Sequence, residues 1–91
     1  MGTEVRLFKS QERKSRAEVV AFLRQIADKI DGGQVVLRQG QEEISLHIPS
    51  DLILEVQVEE EDKQRKGTQH SLELEIKWYD EDPDSGPLEI G

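Results

Sequence analysis

Cysteine is absent from this 91-residue sequence, and aromatic residues make up only 4% of it. Without cysteine the chain cannot form a disulfide framework, a zinc–thiolate site or a cysteine nucleophile. The longest apolar runs fall far short of the roughly 20 residues of a membrane-spanning helix, and the N-terminus lacks the apolar stretch of a signal peptide. These absences predict a cytoplasmic protein with no membrane contact.

Motifs that carry chemistry are missing as well. The sequence contains no glycine-rich phosphate loop, no Ser-His-Asp set and no HExxH motif. Strand alternation puts His47 on the side of Ser45 and His70 on the side of Leu72, so the two histidines should face opposite sides of a sheet. We therefore expect no catalytic residue, no metal site, no cofactor and no small-molecule substrate.

An acidic segment near the C-terminus has some resemblance to a calcium loop. Asp80, Asp82 and Asp84 occupy its first, third and fifth positions. A calcium-binding EF-hand loop also needs glycine at the sixth position and glutamate at the twelfth, where this chain has Ser85 and Gly91. The segment favours a solvated acidic linker, with weak divalent-ion binding as the alternative, and residues 80–91 are predicted to be a mobile tail.

Charge is distributed unevenly along the chain. Residues 1–41 carry eight Lys and Arg against five Asp and Glu, whereas residues 42–91 carry four against fifteen, which gives the net charge of −8. An acidic protein binds nucleic-acid phosphates poorly, so no nucleic-acid partner is expected. A basic N-terminal cluster could still meet an anion, or could balance the acidic sheet of the same molecule or a neighbour; it comprises Arg6, Lys9, Arg13, Lys14 and Arg16.

One helix is indicated clearly by capping and periodicity. Ser15 and Glu18 form the Ser-x-x-Glu pattern of a capping box, and Gly32-Gly33 is a helix stop. Between these signals, apolar residues recur at helical spacing: Val19, Val20, Leu23, Ile26, Ala27 and Ile30.

The rest of the chain is typical of strands. Residues 4–10, 34–38, 43–48, 52–59 and 71–79 alternate or cluster apolar residues, with turn residues such as Pro49-Ser50-Asp51 between them. Short connections predict antiparallel neighbours. The sequence thus predicts an α+β fold of order β-α-β-β-β-β, in which one helix packs on one face of a mostly antiparallel, strongly amphipathic sheet. Residues 1–79 should form a single domain.

Size limits how much of that sheet can be covered. A helix is about 10 Å across with its side chains, whereas five strands make a sheet roughly 20–25 Å wide. One helix would leave an apolar patch exposed, and such a patch usually marks an interface. Trp78 at the end of the last strand could fill the core or anchor a contact, and the core role is favoured.

The capped helix, the Gly-Gly stop and the final Leu72-Glu-Leu-Glu-Ile-Lys-Trp78 resemble the amphi-Trp domain family of small bacterial and archaeal proteins. The resemblance extends over roughly residues 5–78. It implies that Leu72, Leu74, Ile76 and Trp78 are the signature positions. The family has no assigned biochemical activity, so the resemblance implies a fold and no chemistry.

These observations favour a small, non-catalytic interaction module that acts through its sheet, either by self-association as a homo-oligomer or by docking to a larger protein. The alternative is an acidic inhibitor that mimics nucleic acid and presents Glu55, Glu59, Glu73 and Glu75 to a basic cleft. The candidate interface residues are Val56, Val58, Leu72, Leu74, Ile76 and Trp78.

Overall fold

The protein has one helix followed by four antiparallel strands. The structure is a computed structural model that describes residues 2–80. Its elements are the helix α1 (Arg16–Asp31) and the strands β1 (Gln34–Gln39), β2 (Glu42–His47), β3 (Ile53–Asp62) and β4 (Thr68–Lys77), with a short 3-10 turn at Gln64–Lys66. The α+β class and the antiparallel pairing are confirmed. No helix among these residues has the length and hydropathy of a membrane span.

Helix α1 begins and ends where the sequence predicts. The Ser15 side chain accepts a hydrogen bond from the Glu18 amide at 3.1 Å, and the Glu18 carboxylate accepts one from the Ser15 amide at 3.0 Å. This capping box satisfies two amides that a helix start leaves without partners. At the other end Gly32 caps the helix and donates to the Asp28 carbonyl, and Gly33 follows with a positive φ of 83°.

Strands β1 and β2 form a hairpin that packs against α1 and holds the small core of the first half. Val35 and Ile48 are the buried apolar residues of the described part of the chain, at 6% and 8% exposure. Val35 lies opposite Leu46 in the hairpin register, and the Ile48 amide donates to the Gly33 carbonyl at 2.9 Å. This hydrogen bond ties the end of β2 to the helix stop.

Strands β3 and β4 form a longer hairpin of ten paired positions, which we call the β3–β4 ribbon. Its tip is closed by backbone hydrogen bonds between Lys63 and Gly67 and between Gly67 and Gln64. The ribbon extends further toward its tip than the sequence predicts, since Asp62 and Thr68 are still paired. An entirely polar stretch can continue a ladder because the ladder itself uses only backbone groups.

The four strands are divided between two two-stranded sheets, β1–β2 and β3–β4, instead of lying in one. The chain likewise divides into two compact units, Met1–Ile48 and Pro49–Gly91. The boundary falls at Pro49, which has no amide hydrogen to donate to a ladder. The broad single sheet expected from the sequence is therefore not formed.

The prediction of a first strand at residues 4–10 is wrong. Residues 2–15 adopt neither helix nor strand, and Val5 and Leu7 are 73% and 70% exposed. Alternation gives a segment the capacity to pair, but a strand exists only where another backbone accepts its hydrogen bonds.

The division into one domain, residues 1–79, and a tail stays a prediction. Apart from Asp80, the tail lies outside the described residues, and so does most of the proposed calcium-loop segment.

Candidate functional site

The β3–β4 ribbon gathers the predicted interface residues on one side. Its register places Val58 opposite Leu72, Val56 opposite Leu74, and Leu54 opposite Ile76. Side chains directly opposite in a pair of strands project from the same face of the sheet. We call this surface the apolar face; it consists of Leu54, Val56, Val58, Leu72, Leu74 and Ile76.

The apolar face is largely open to solvent. All six of its side chains are exposed, and Val58 and Leu72 near the tip are 76% and 69% exposed. Neither strand of the ribbon contains a buried residue. A two-stranded hairpin is marginally stable alone in water, so a surface of this kind needs a cover to be stable.

Leu54 belongs to the apolar face although it was not among the six interface candidates chosen from the sequence. The alternation of β3 already contained the signal, since Leu54 shares its parity with Val56 and Val58. The register with Ile76 makes its membership explicit.

Trp78 differs from the other candidates. It follows the last residue of β4, Lys77, and its side chain is half-buried instead of exposed. Half-burial is compatible with both roles considered for it, core residue and interface anchor. Both stay predictions.

The opposite surface of the ribbon, the acidic face, is rich in carboxylates. Glu55 lies opposite Glu75, and Gln57 lies opposite Glu73. Lys77 partly compensates this charge, because its ammonium contacts Glu55 at 3.1 Å and Glu75 at 3.5 Å. The Glu55 contact, followed by the Coulombic attraction of the same carboxylate, raises the pKa of Lys77 above its usual value.

Glu73 and Glu59 lie diagonally across the ribbon on the acidic face, since Glu73 is paired with Gln57 and Glu59 with Ser71. A side-chain hydrogen bond to Glu59 raises the pKa of Glu73 above its ordinary value, and repulsion from Glu59, Glu55 and Glu75 adds to the effect. A hydrogen bond between two carboxyls requires one proton, so the pair favours the neutral form of Glu73. Both groups are solvated, and the depression over Glu55, Gln57, Glu73 and Glu75 measures only about 180 Å³.

A second apolar surface lies on the N-terminal half of α1. Phe22 is exposed although it sits in the middle of the helix, and with Val19 it lines an open groove of about 540 Å³. The apolar stripe predicted from the sequence did not include Phe22, because Phe22 lies beside that stripe on the helix surface. The groove is bordered by Glu12, Lys14 and Glu18.

The two histidines belong to different units of the chain. His47 ends β2, while His70 lies in the ribbon, where it contacts Glu60 at 3.1 Å on the side of the apolar face. Within residues 2–80 no group of three or more His, Cys, Asp or Glu side chains is arranged to hold a metal ion.

Comparison with known proteins identifies a family and nothing closer. No curated protein and no solved structure matches the chain. The family model of the Amphi-Trp domain matches residues 1–91, the whole sequence. The apolar face and the tryptophan that follows it thus occur in a recognised domain, and the chain belongs to the Amphi-Trp domain family.

Proposed function

We propose that this chain is a non-catalytic, cytoplasmic interaction module that associates with a second copy of itself through the apolar face of the β3–β4 ribbon. The observation that carries the proposal is the exposure of all six apolar side chains of that face. Single polypeptides that remain monomeric rarely expose a contiguous apolar patch larger than a few hundred Å².

The area of the patch matches the requirement of a dimer. Six Val, Leu and Ile side chains that are mostly exposed present roughly 400 Å² of apolar surface per copy. Two such faces in contact would bury about 800 Å² of apolar surface, close to the non-polar share of a standard interface of roughly 1,600 Å². A two-fold axis through the contact would let each copy cover the other with the same residues.

The test compares substitutions on and off the apolar face. Val58→Gln combined with Leu72→Gln changes the two most exposed positions of the face, which lie opposite each other. The matched control is Glu61→Gln, also on β3 but projecting from the acidic side, where it contacts Lys63. In sedimentation equilibrium the wild type should be a dimer, the double variant should dissociate at least roughly tenfold more readily, and the control should not.

Two results would overturn self-association. A wild type that stays monomeric at high concentration and binds no hydrophobic dye would show that the face is covered within one chain. A monomer that does bind the dye would leave the face free for a different protein, and docking to a larger partner would replace self-association.

A second candidate function uses the acidic face. Glu55, Glu59, Glu73 and Glu75 all project from this one face of the ribbon, as a mimic of nucleic-acid phosphates would require. Such a surface would bind a basic probe such as polylysine, and salt would abolish that binding while leaving an apolar dimer intact. Retention of polylysine binding at high salt would argue against it.

A further inference from the structure

We propose that residues 4–10 of one copy pair, as an antiparallel strand, with the open edge of β4 in a second copy, and that the exchange is reciprocal. The inference rests on the proposed self-association and identifies which segment extends the interface. It also explains why a segment with the pattern of a strand has no strand partner within one chain.

The segment has the properties of an unpaired strand. Val5 and Leu7 project to one side in an extended chain, and both are mostly exposed. The structure shows no ordered secondary structure anywhere in residues 2–15. An exposed, alternating segment without ladder hydrogen bonds can pair with a sheet edge.

The ribbon offers the matching edge. Its sheet has two strands, so β4 pairs with β3 along one side and keeps its other edge open over the ten residues Thr68–Lys77. Addition of a strand to such an edge satisfies backbone donors and acceptors and supplies affinity, while the side chains set the register.

Charge and hydrophobicity favour one register for residues 4–7 of the segment. With Arg6 opposite Glu75 of the second copy, antiparallel pairing also places Glu4 opposite Lys77, Val5 opposite Ile76 and Leu7 opposite Leu74. The pairs Arg6–Glu75 and Glu4–Lys77 then each join opposite charges on the acidic face. The two apolar pairs add Val5 and Leu7 to the apolar face. Each favourable cross-strand pair contributes a few tenths to about 1 kcal/mol.

A second copy is the partner that the observations favour. Val5 and Leu7 are exposed in the first unit, and all six residues of the apolar face are exposed in the second. Reciprocal exchange would give residues 4–10 a backbone partner, and the proposed contact between the apolar faces would cover Val5 and Leu7 together with the rest of that face. It would also add two strand pairings to the contact between the apolar faces.

Charge reversal in two separate copies tests the exchange. Arg6→Glu and Glu75→Arg each put like charges at both symmetry-related contacts of a homodimer, so at low salt each variant alone should dimerise roughly tenfold more weakly than the wild type. In a mixture of the two variants both contacts become attractive again, and dimerisation should recover. Lys29→Glu, a reversal in the last turn of α1, is the control and should have no partner-specific effect.

The outcomes separate this inference from the proposed function. If the wild type is a dimer but the mixture shows no recovery, the strand exchange is wrong while self-association stands. If only the double variant in one chain recovers, the segment pairs with its own ribbon, which also overturns the exchange. If the wild type is a monomer, both proposals fail.

Cross-linking gives an independent readout, because the chain contains no cysteine. In a mixture of Leu7→Cys and Leu74→Cys, oxidation should yield a disulfide-linked heterodimer, since directly opposite strand positions bring their Cβ atoms to about 4.5–5.5 Å, close to the spacing that a disulfide spans. The pair Leu7→Cys and Val56→Cys is the control, because Val56 lies on β3, away from the β4 edge. Equal cross-linking of both pairs would contradict the register.

Discussion

Glu73 shows how much a single residue of this protein depends on its neighbours. Its carboxyl is solvated, yet the hydrogen bond to Glu59 and the charges of Glu59, Glu55 and Glu75 raise its pKa above the ordinary value of 4.5 for a glutamate. Because the folded state then holds the proton more tightly than the unfolded state, the neutral form of Glu73 favours the ribbon. That contribution is present at low pH and declines as pH rises from about 4.5 through the raised pKa.

We predict that Glu59→Gln lowers the pKa of Glu73. The amide carries no charge and can donate a hydrogen bond to the ionised carboxylate, so it removes the two largest causes of the shift. An NMR titration of the side-chain carboxyl carbons measures the effect. Glu60→Gln is the control, because Glu60 lies on the other face of β3 opposite His70, and it should leave Glu73 unchanged. A wild-type Glu73 that titrates at or below 4.5 would contradict the structure.

At the scale of elements, capping at both ends determines where α1 begins and stops, and the strand register determines which side chains share a face of the ribbon. The reciprocal hydrogen bonds of Ser15 and Glu18 fix the first turn of α1. The bond from the Ser15 amide lowers the pKa of Glu18, so the stability that this carboxylate contributes is present above about 4.5 and is lost as pH falls through the lowered pKa. Among the described residues no comparable hydrogen-bond pattern covers the apolar face, so the proposed self-association would stabilise the ribbon.

We predict that Ser15→Ala costs about 1 kcal/mol of unfolding free energy, the usual effect of removing a helix N-cap hydroxyl. Urea denaturation followed by circular dichroism measures it. Ser10→Ala is the matched control, since its hydroxyl makes only a 3.4 Å bond to Glu12 outside the helix. Equal losses in both variants would mean that the capping box does not stabilise α1.

At the scale of the whole molecule, the proposed self-association through the apolar face would couple folding to dimer formation. If two copies cover each other, the folded dimer is favoured by mass action and its stability depends on protein concentration. The same reasoning predicts that the first segment, residues 4–10, becomes ordered only in the dimer.

We predict that the thermal midpoint of the wild type rises when protein concentration is raised a hundredfold. The reason is that unfolding of a dimer releases two chains, whereas unfolding of a monomer releases one. Scanning calorimetry at both concentrations measures the shift. The variant with Val58→Gln and Leu72→Gln should show a smaller shift, and a wild-type midpoint independent of concentration would contradict the proposed dimer.

The sequence by itself determined the features that depend on neighbouring residues. The capping box, the Gly32-Gly33 stop and the facing of Val56, Val58, Leu72 and Leu74 follow from hydrogen bonds and alternation within a few positions. The site was predictable to the same extent, because alternation alone assigns a side chain to a face.

Only the tertiary structure decided which backbones pair. It divided the strands into two hairpins and gave residues 4–10 no strand pairing. It also continued the ribbon to Asp62 and Thr68 and placed Glu59 diagonally from Glu73. Alternation of apolar and polar residues allows a segment to form a strand. It does not determine which distant segment that strand pairs with, because pairing depends on long-range contacts.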